Sequence, residues 1–316
     1  MARKRIHLHL GGHKTATTSF QRFLKINSQY FEEQYGLRNM LPEELRTMQI
    51  YKLISLARAG RELSPDDLET ARTEARDWFN DCSTDNVILS HEGLVGQHNL
   101  FKDRGMYPGI SDACAVIADA FQDVDITAVF VIRSQAAFLE STYMQAVHYA
   151  NYMPFDEYVE GIDMSTLSWK RIADVLYHHF GRENVEVIPF EAIKQGEGAF
   201  FSSLLKQILP GNEKSAVDGA VFEDSSQQNA SLSDTALRIV GRAAPLTTKS
   251  ELKDLIAYLR KNFSNRTHPR ASLCSPDLKR RIKRHFTVEN QQVFEDIAPE
   301  FHHLLDAYID MEAPGK

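Results

Sequence analysis

The chain has 316 residues, 43% hydrophobic and 25% charged, with a net charge of −7. That is the make-up of one large soluble α/β domain or two small ones, and it excludes a broadly basic, nucleic-acid-coating surface. No apolar run is long enough to cross a bilayer, and the three cysteines (Cys82, Cys114, Cys274) lack metal-ligand spacing and read as reduced, structural thiols.

The first predicted element carries the most information. An apolar strand opens at Arg5 and runs through Ile-His-Leu-His-Leu into Gly11-Gly-His-Lys14. Its start within five residues leaves no room for a signal peptide, so the expected location is cytoplasmic. Within it His7 and His9 alternate onto one face and read as hydrogen-bonded core residues. Lys14 is followed by Thr15, Ala16, Thr17, Thr18 and Ser19, and then by an amphipathic helix predicted over 16–34. A helix N-terminus fed by such a loop offers unpaired N–H groups and partial positive charge. With a lysine and four hydroxyls added, it is a phosphate site.

Residues 41–80 read as helices, with Pro42 and Pro65 near their starts. Asn86–Ser90 is a short apolar strand that delivers His91 and Glu92 at its C-terminal end. A helix over 111–122 precedes a strand rich in β-branched residues at 126–132, which ends in Arg133 and leads into a helix carrying Ser141. Helices are predicted at 155–161 and 166–180, the latter capped by Gly181. A late strand at 185–191 contains Phe190, and an apolar helix covers 199–209. From 231 onward the pattern is helical, broken near 245 and at 262–276.

Strands separated by helices predict an α/β, three-layer fold of P-loop type: a central parallel sheet, helices on both faces and ligands at the strands' C-terminal ends. No repeat or linker divides the chain. The expectation is one domain over 1–316, with a helical insertion at about 35–82 and a helical part at about 230–316.

The loop is not a Walker A motif, because His13 stands where glycine should precede the lysine and Leu8 where the earlier glycine should be. The run Lys14-Thr-Ala-Thr-Thr18 instead resembles the 5′-phosphosulfate loop of sulfotransferases that use 3′-phosphoadenosine 5′-phosphosulfate (PAPS), usually Lys-Ser/Thr-Gly-Thr-Thr. Ala16 replaces the usual glycine, which suggests a backbone with φ below zero there. Arg133 and Ser141 have the spacing with which that family holds the cofactor's 3′-phosphate. The segment Asn262-Phe-Ser-Asn-Arg266-Thr-His-Pro269, with Phe286 and Asn290 on the following helix, resembles the C-terminal loop and helix of glycosaminoglycan sulfotransferases. The match puts Arg266 beside the 3′-phosphate, and Phe190 where family members often flank the adenine.

The resemblance implies transfer of a sulfuryl group from PAPS to a hydroxyl acceptor, a carbohydrate or glycolipid, with adenosine 3′,5′-bisphosphate released and no metal required. Lys14 would neutralise the leaving phosphate, while Thr15, Thr17, Thr18 and Ser19 would hold it. His13 either contacts that phosphate or the substrate, or merely shapes the loop. The acceptor's proton needs a base. His91 is the first candidate and Glu92 the second, with Glu32 and Glu33 as weaker ones. The competing readings are a P-loop kinase acting on a small metabolite and a nucleotide-binding protein without turnover.

Overall fold

The computed structural model of the protein describes residues 4–97, 100–102, 105–223 and 230–311. Its centre is a five-stranded sheet: β1 (Arg5–His9), β2 (Leu37–Met40), β3 (Asn86–Ser90), β4 (Asp125–Ile132) and β5 (Val185–Pro189). All neighbours run parallel, in the order β2-β3-β1-β4-β5. β1 therefore lies in the middle, and the loop after it emerges at the centre of the sheet's C-terminal edge.

Register assigns the helices to faces. His9 pairs with Val129, so these two side chains share one face and Phe130 takes the other. On the His9 face its ring meets Phe20 of α1 (Thr17–Ile26), and Phe20 and Phe23 pack on Phe201 of α10 (Glu197–Leu205). On the opposite face Phe130 meets Trp169 of α9 (Trp169–Phe180), which is neighboured by α6 (Ile110–Ala120). These aromatic contacts are the three-layer arrangement that alternating strands and helices predict.

Three boundaries differ from the sequence expectation. The helix expected over 16–34 is two helices, α1 and α2 (Ser28–Tyr35), which meet at Asn27, whose side-chain amide bonds Phe23 O and the backbone of Val221. α2 ends at Gly36, in the left-handed conformation at φ 59°, and turns directly into β2, which lies inside the predicted helical insertion. The late strand stops at Pro189, so Phe190 opens a 3-10 turn. Between β2 and β3 lie α3 (Pro42–Leu45), α4 (Gln49–Arg58) and α5 (Pro65–Asn80), with Pro42 and Pro65 at helix starts as expected.

After β4 come α7 (Gln135–His148) and α8 (Phe155–Glu160). Beyond α10 lie α11 (Glu213–Asp218), α12 (Asp234–Ala243), α13 (Lys249–Asn262) and α14 (Pro276–Asp296). α14 is tied to α7 by a buried double amide bond: Gln135 Nε2 donates to Asn290 Oδ1 at 3.0 Å and Asn290 Nδ2 to Gln135 Oε1 at 3.1 Å. Asn290 also donates to Tyr308 O at 3.0 Å. Asn290→Ala strands the Gln135 amide and should cost about 2–3 kcal/mol, read as a lower denaturation midpoint in urea.

Candidate functional site

The loop after β1 follows β4 for two more residues: Leu10 N donates to Val129 O and Gly12 N to Val131 O. A Cβ on Gly12 would stand 2.6 Å from Val131 O, so only glycine lets the chain run this close. It then turns sharply. Lys14 and Ala16 are left-handed, at φ 67° and 63°, and this corrects the expectation that Ala16 keeps φ below zero. Each such residue carries about 1–2 kcal/mol of backbone strain. Left-handed turns fold successive N–H groups to one side, which makes an anion-binding concavity at the start of α1.

The side chains of the loop divide into walls and open donors. His13 faces the wall: its N–H donates to Tyr107 OH at 3.0 Å, and its Nε2 lies 3.2 Å from Gly96 O. The Thr15 hydroxyl is spent on Gly12 O. Thr17 is buried, and its hydroxyl has no partner among the described residues. Thr18 is exposed and Ser19 half-buried. Lys14 Nζ reaches out to Gln145 Oε1 at 3.0 Å.

A second group of residues meets this loop from β4 and α7. Arg133 Nη1 donates to Lys14 O at 2.8 Å, and its guanidinium lies 4.9 Å from the centre of the Phe190 ring. The turn that holds Arg133 is fixed by Trp169 Nε1 donating to Arg133 O at 2.7 Å and Ser134 N donating to Glu191 Oε1 at 3.0 Å. The hydroxyl of Tyr308 closes on the other Glu191 oxygen. Ser141, Gln145 and His148 are spaced to share one face of α7. Gln145 meets Lys14, and Arg260 Nη1 of α13 donates to His148 Nδ1 at 2.9 Å. Ser141 is half-buried one turn before Gln145.

Charge converges here. Burial lowers the Lys14 pKa, and the nearby positive charges of Arg133 and Arg260 lower it further, with Glu92 opposing them. Burial also lowers the pKa of Arg133; Glu191 opposes that shift and Arg270 adds to it. A chain of net charge −7 thus gathers Lys14, Arg133, Arg260 and Arg270 around one cleft. Arg270 is anchored there by the isolated bridge between Ser233 and Arg270. Arg266, on the same loop, is exposed. Gln145 and Arg260 were not singled out from sequence; Arg270 stood in the segment that ends the 262–270 loop, where a solvated surface role was as good a reading as a functional one.

The two base candidates face different surroundings. His91 is buried, its Nδ1 accepts from Gly93 N at 3.0 Å, and its ring lies 5.5 Å from Tyr51. Burial lowers its pKa to about 4, so it is neutral near pH 7. Glu92 is half-buried, and its Oε2 accepts from Gln21 Nε2 at 3.2 Å. Gln21 is held in turn by Ser90 O at 2.8 Å. Glu92 is also the carboxylate whose charge reaches Lys14. Glu32 bonds to Ser83 and Glu33 to Gln29 instead. Among the described residues no group of three or more His, Cys, Asp or Glu side chains is placed to hold a metal ion, and no helix is long and apolar enough to cross a membrane.

No family model matches the chain, and no curated protein matches it. Among solved structures it is similar to a sulfotransferase from Alicyclobacillus acidocaldarius, with 17% sequence identity over 81% of this chain and 97% of that one and a TM-score of 0.41.

Relieving the left-handed strain at Ala16 should stabilise the fold: Ala16→Gly is expected to gain about 0.5–1 kcal/mol despite the entropy that glycine adds to the unfolded chain, read as a raised Tm. Burial depresses three histidines, His7 to about 4, His9 to about 3 and His91 to about 4. In the unfolded chain each titrates at about 6.5. The unfolded state therefore binds more protons below that pH, and stability should fall as pH drops from about 6.5 towards 4. A urea midpoint that stays flat between pH 7 and pH 5 would contradict this.

Proposed function

We propose that this protein is a sulfotransferase that moves the sulfuryl group of PAPS to a hydroxyl, with the described elements, including the helical parts after β2 and from α12 onward, acting as one domain. One observation carries the reading: the Arg133 guanidinium donates to the carbonyl of Lys14. It brings a loop suited to a 5′-phosphate and an arginine suited to a 3′-phosphate into one cleft, separated by no more than a nucleotide's own span. ATP has no 3′-phosphate for Arg133, Ser141, Arg260 and Arg270 to bind.

In this reading the N-terminus of α1, with the backbone of Thr15 and the hydroxyls of Thr17, Thr18 and Ser19, holds the 5′-phosphate. Lys14 leaves Gln145 for the oxygen that bridges phosphorus and sulfur, where charge gathers as the bond breaks. The acceptor oxygen attacks sulfur in line, its proton passes to a base, and adenosine 3′,5′-bisphosphate leaves. The surroundings favour Glu92 as that base. A neutral His91 ring whose Nδ1 accepts from Gly93 carries its proton on Nε2 and has no free lone pair to offer. Glu92 is fixed by Gln21 and already lies in the field of Lys14. Phe190 acts through Arg133, whose guanidinium it supports, as well as at the edge of the adenine site. Arg266 and His13 take secondary parts, Arg266 closing over the nucleotide and His13 holding the loop to its wall. The acceptor is a sugar hydroxyl, on a carbohydrate or glycolipid, and the transfer needs no metal.

Isothermal titration tests the donor. Adenosine 3′,5′-bisphosphate should bind in the presence of chelator, and more tightly than ATP; tight binding of ATP only with Mg²⁺ would establish a kinase instead. With labelled PAPS and a panel of sugar acceptors, Lys14→Ala should lower the rate by about 100- to 1000-fold and Glu92→Gln by at least about 100-fold. A wild-type chain that binds the bisphosphate and transfers nothing to any acceptor is a binding protein.

A further inference from the structure

His9, the last residue of β1, is buried, and its Nδ1 lies 2.7 Å from Ser90 Oγ on β3. Its other ring nitrogen, Nε2, is buried with no hydrogen-bond partner among the described residues. So is Oγ1 of Thr17, the first residue of α1. Both atoms border Gly11, where an added Cβ would stand 2.7 Å from Thr17 Oγ1 and 3.2 Å from His9 Nε2. Two orphaned polar atoms from different elements therefore share one small space directly beneath the anion loop. An unmade buried bond costs about 1–3 kcal/mol, so two in one place point to a use. Burial lowers the His9 pKa to about 3, which keeps the ring neutral with one donor and one acceptor nitrogen.

We propose that His9 is a positioning residue of the anion loop: Ser90 Oγ–H donates to His9 Nδ1, and when phosphate binds, His9 Nε2–H closes onto Thr17 Oγ1, a bond that the empty loop does not make, so that the hydroxyl proton of Thr17 is committed to the phosphate. A hydroxyl has one proton and two lone pairs. Once a neutral imidazole fills its acceptor side, its donor side is directed elsewhere, and the ring adds no charge that would compete with Lys14. Bonds in such a chain polarise one another, which strengthens the terminal donor. Gly11 is required because any side chain there would fill the space in which His9 and Thr17 meet. The proposal rests on the reading of this loop as the 5′-phosphate site.

A double-mutant cycle tests it, with affinity for adenosine 3′,5′-bisphosphate and for inorganic pyrophosphate measured by titration calorimetry. His9→Phe and Thr17→Val should each weaken binding by about five- to tenfold, and the double variant should be no weaker than the weaker single. His9→Gln, whose amide nitrogen takes the place of Nε2, should restore most of the affinity; Ser90→Ala should weaken binding only while Thr17 is present. Additive losses, or unchanged affinity in His9→Phe, would overturn the proposal. Should His9→Phe fail to fold, the Ser90→Ala and Thr17→Val cycle decides it alone, additivity again counting against. Pyrophosphate binding without bisphosphate binding would defeat the donor assignment and leave the cycle readable on pyrophosphate. If the wild type binds neither, both readings fall.

Discussion

The hydrogen bond from Arg133 to the carbonyl of Lys14 is the contact on which the site depends. It ties the turn after β1 to the end of β4, beyond the point where the backbone bonds of Leu10 and Gly12 to β4 leave off. It also fixes a guanidinium close to an ammonium, which no isolated pair would choose. The cost of holding like charges in a partly desolvated cleft is lowered by Glu92 on one side and Glu191 on the other. With Arg260 and Arg270 added, positive charge outweighs those carboxylates. A cleft built this way stores repulsion that a polyanion releases on binding. Its local charge opposes the sign of the whole chain, so attraction acts at short range and at one place.

Adjacent residues at a strand's end do opposite jobs because the strand's alternation continues for a residue or two. Ser90 shares the face of His9 and bonds to it. His91 falls to the other face, against Tyr51 of α4, and Glu92 returns to the α1 side, where Gln21 meets it. Sequence alone could name the pair His91–Glu92 but not divide it, since register decides which one turns towards the loop. Histidine is the better base in water at neutral pH. Here burial and the Gly93 bond occupy it, and the carboxylate is left facing the lysine.

What the sequence revealed follows how local each signal is. β3 and the second half of β4 carry apolar runs, the mark of strands buried on both faces, and β1 and β5 interrupt theirs only with His7, His9 and Glu186; the lysine and arginine that follow β1 and β4 come with them. β2 was hidden because Leu37-Arg-Asn-Met40 is a short edge strand with two polar residues among helices. Asn27 looked like one more helical position, since its amide's partner at Val221 lies 194 residues away. Gln145 and Arg260 were equally out of reach. Each is an ordinary surface-type residue until the packing of α7 and α13 brings it to the cleft. Ala16 misled for a different reason: alanine in place of glycine argues for an unstrained backbone only when nothing else forces the turn. Here Gly12 against Val131 and the start of α1 fix both ends of the loop, so the residue between them accepts the strain.

The chain from α14 onward belongs to the same design although none of its residues is among those proposed to touch the nucleotide. Asn290 holds Gln135 at the first turn of α7 and also the carbonyl of Tyr308; the Tyr308 hydroxyl holds Glu191; Glu191 holds Ser134 N and compensates the charge of Arg133. The side-chain links of Asn290 and Tyr308 are buried, and those to Gln135 and Glu191 join segments more than a hundred residues apart. The turn at Arg133 is thus gripped from behind by the last part of the chain, while Phe190 and Trp169 fix its sides. In the proposed reading Arg133 takes a phosphate, and must then keep its direction when the cleft is empty, or ordering it would consume part of the binding energy. Placing its supports in a hydrogen-bonded network remote from the ligand meets that need without putting more negative charge where the phosphate must go.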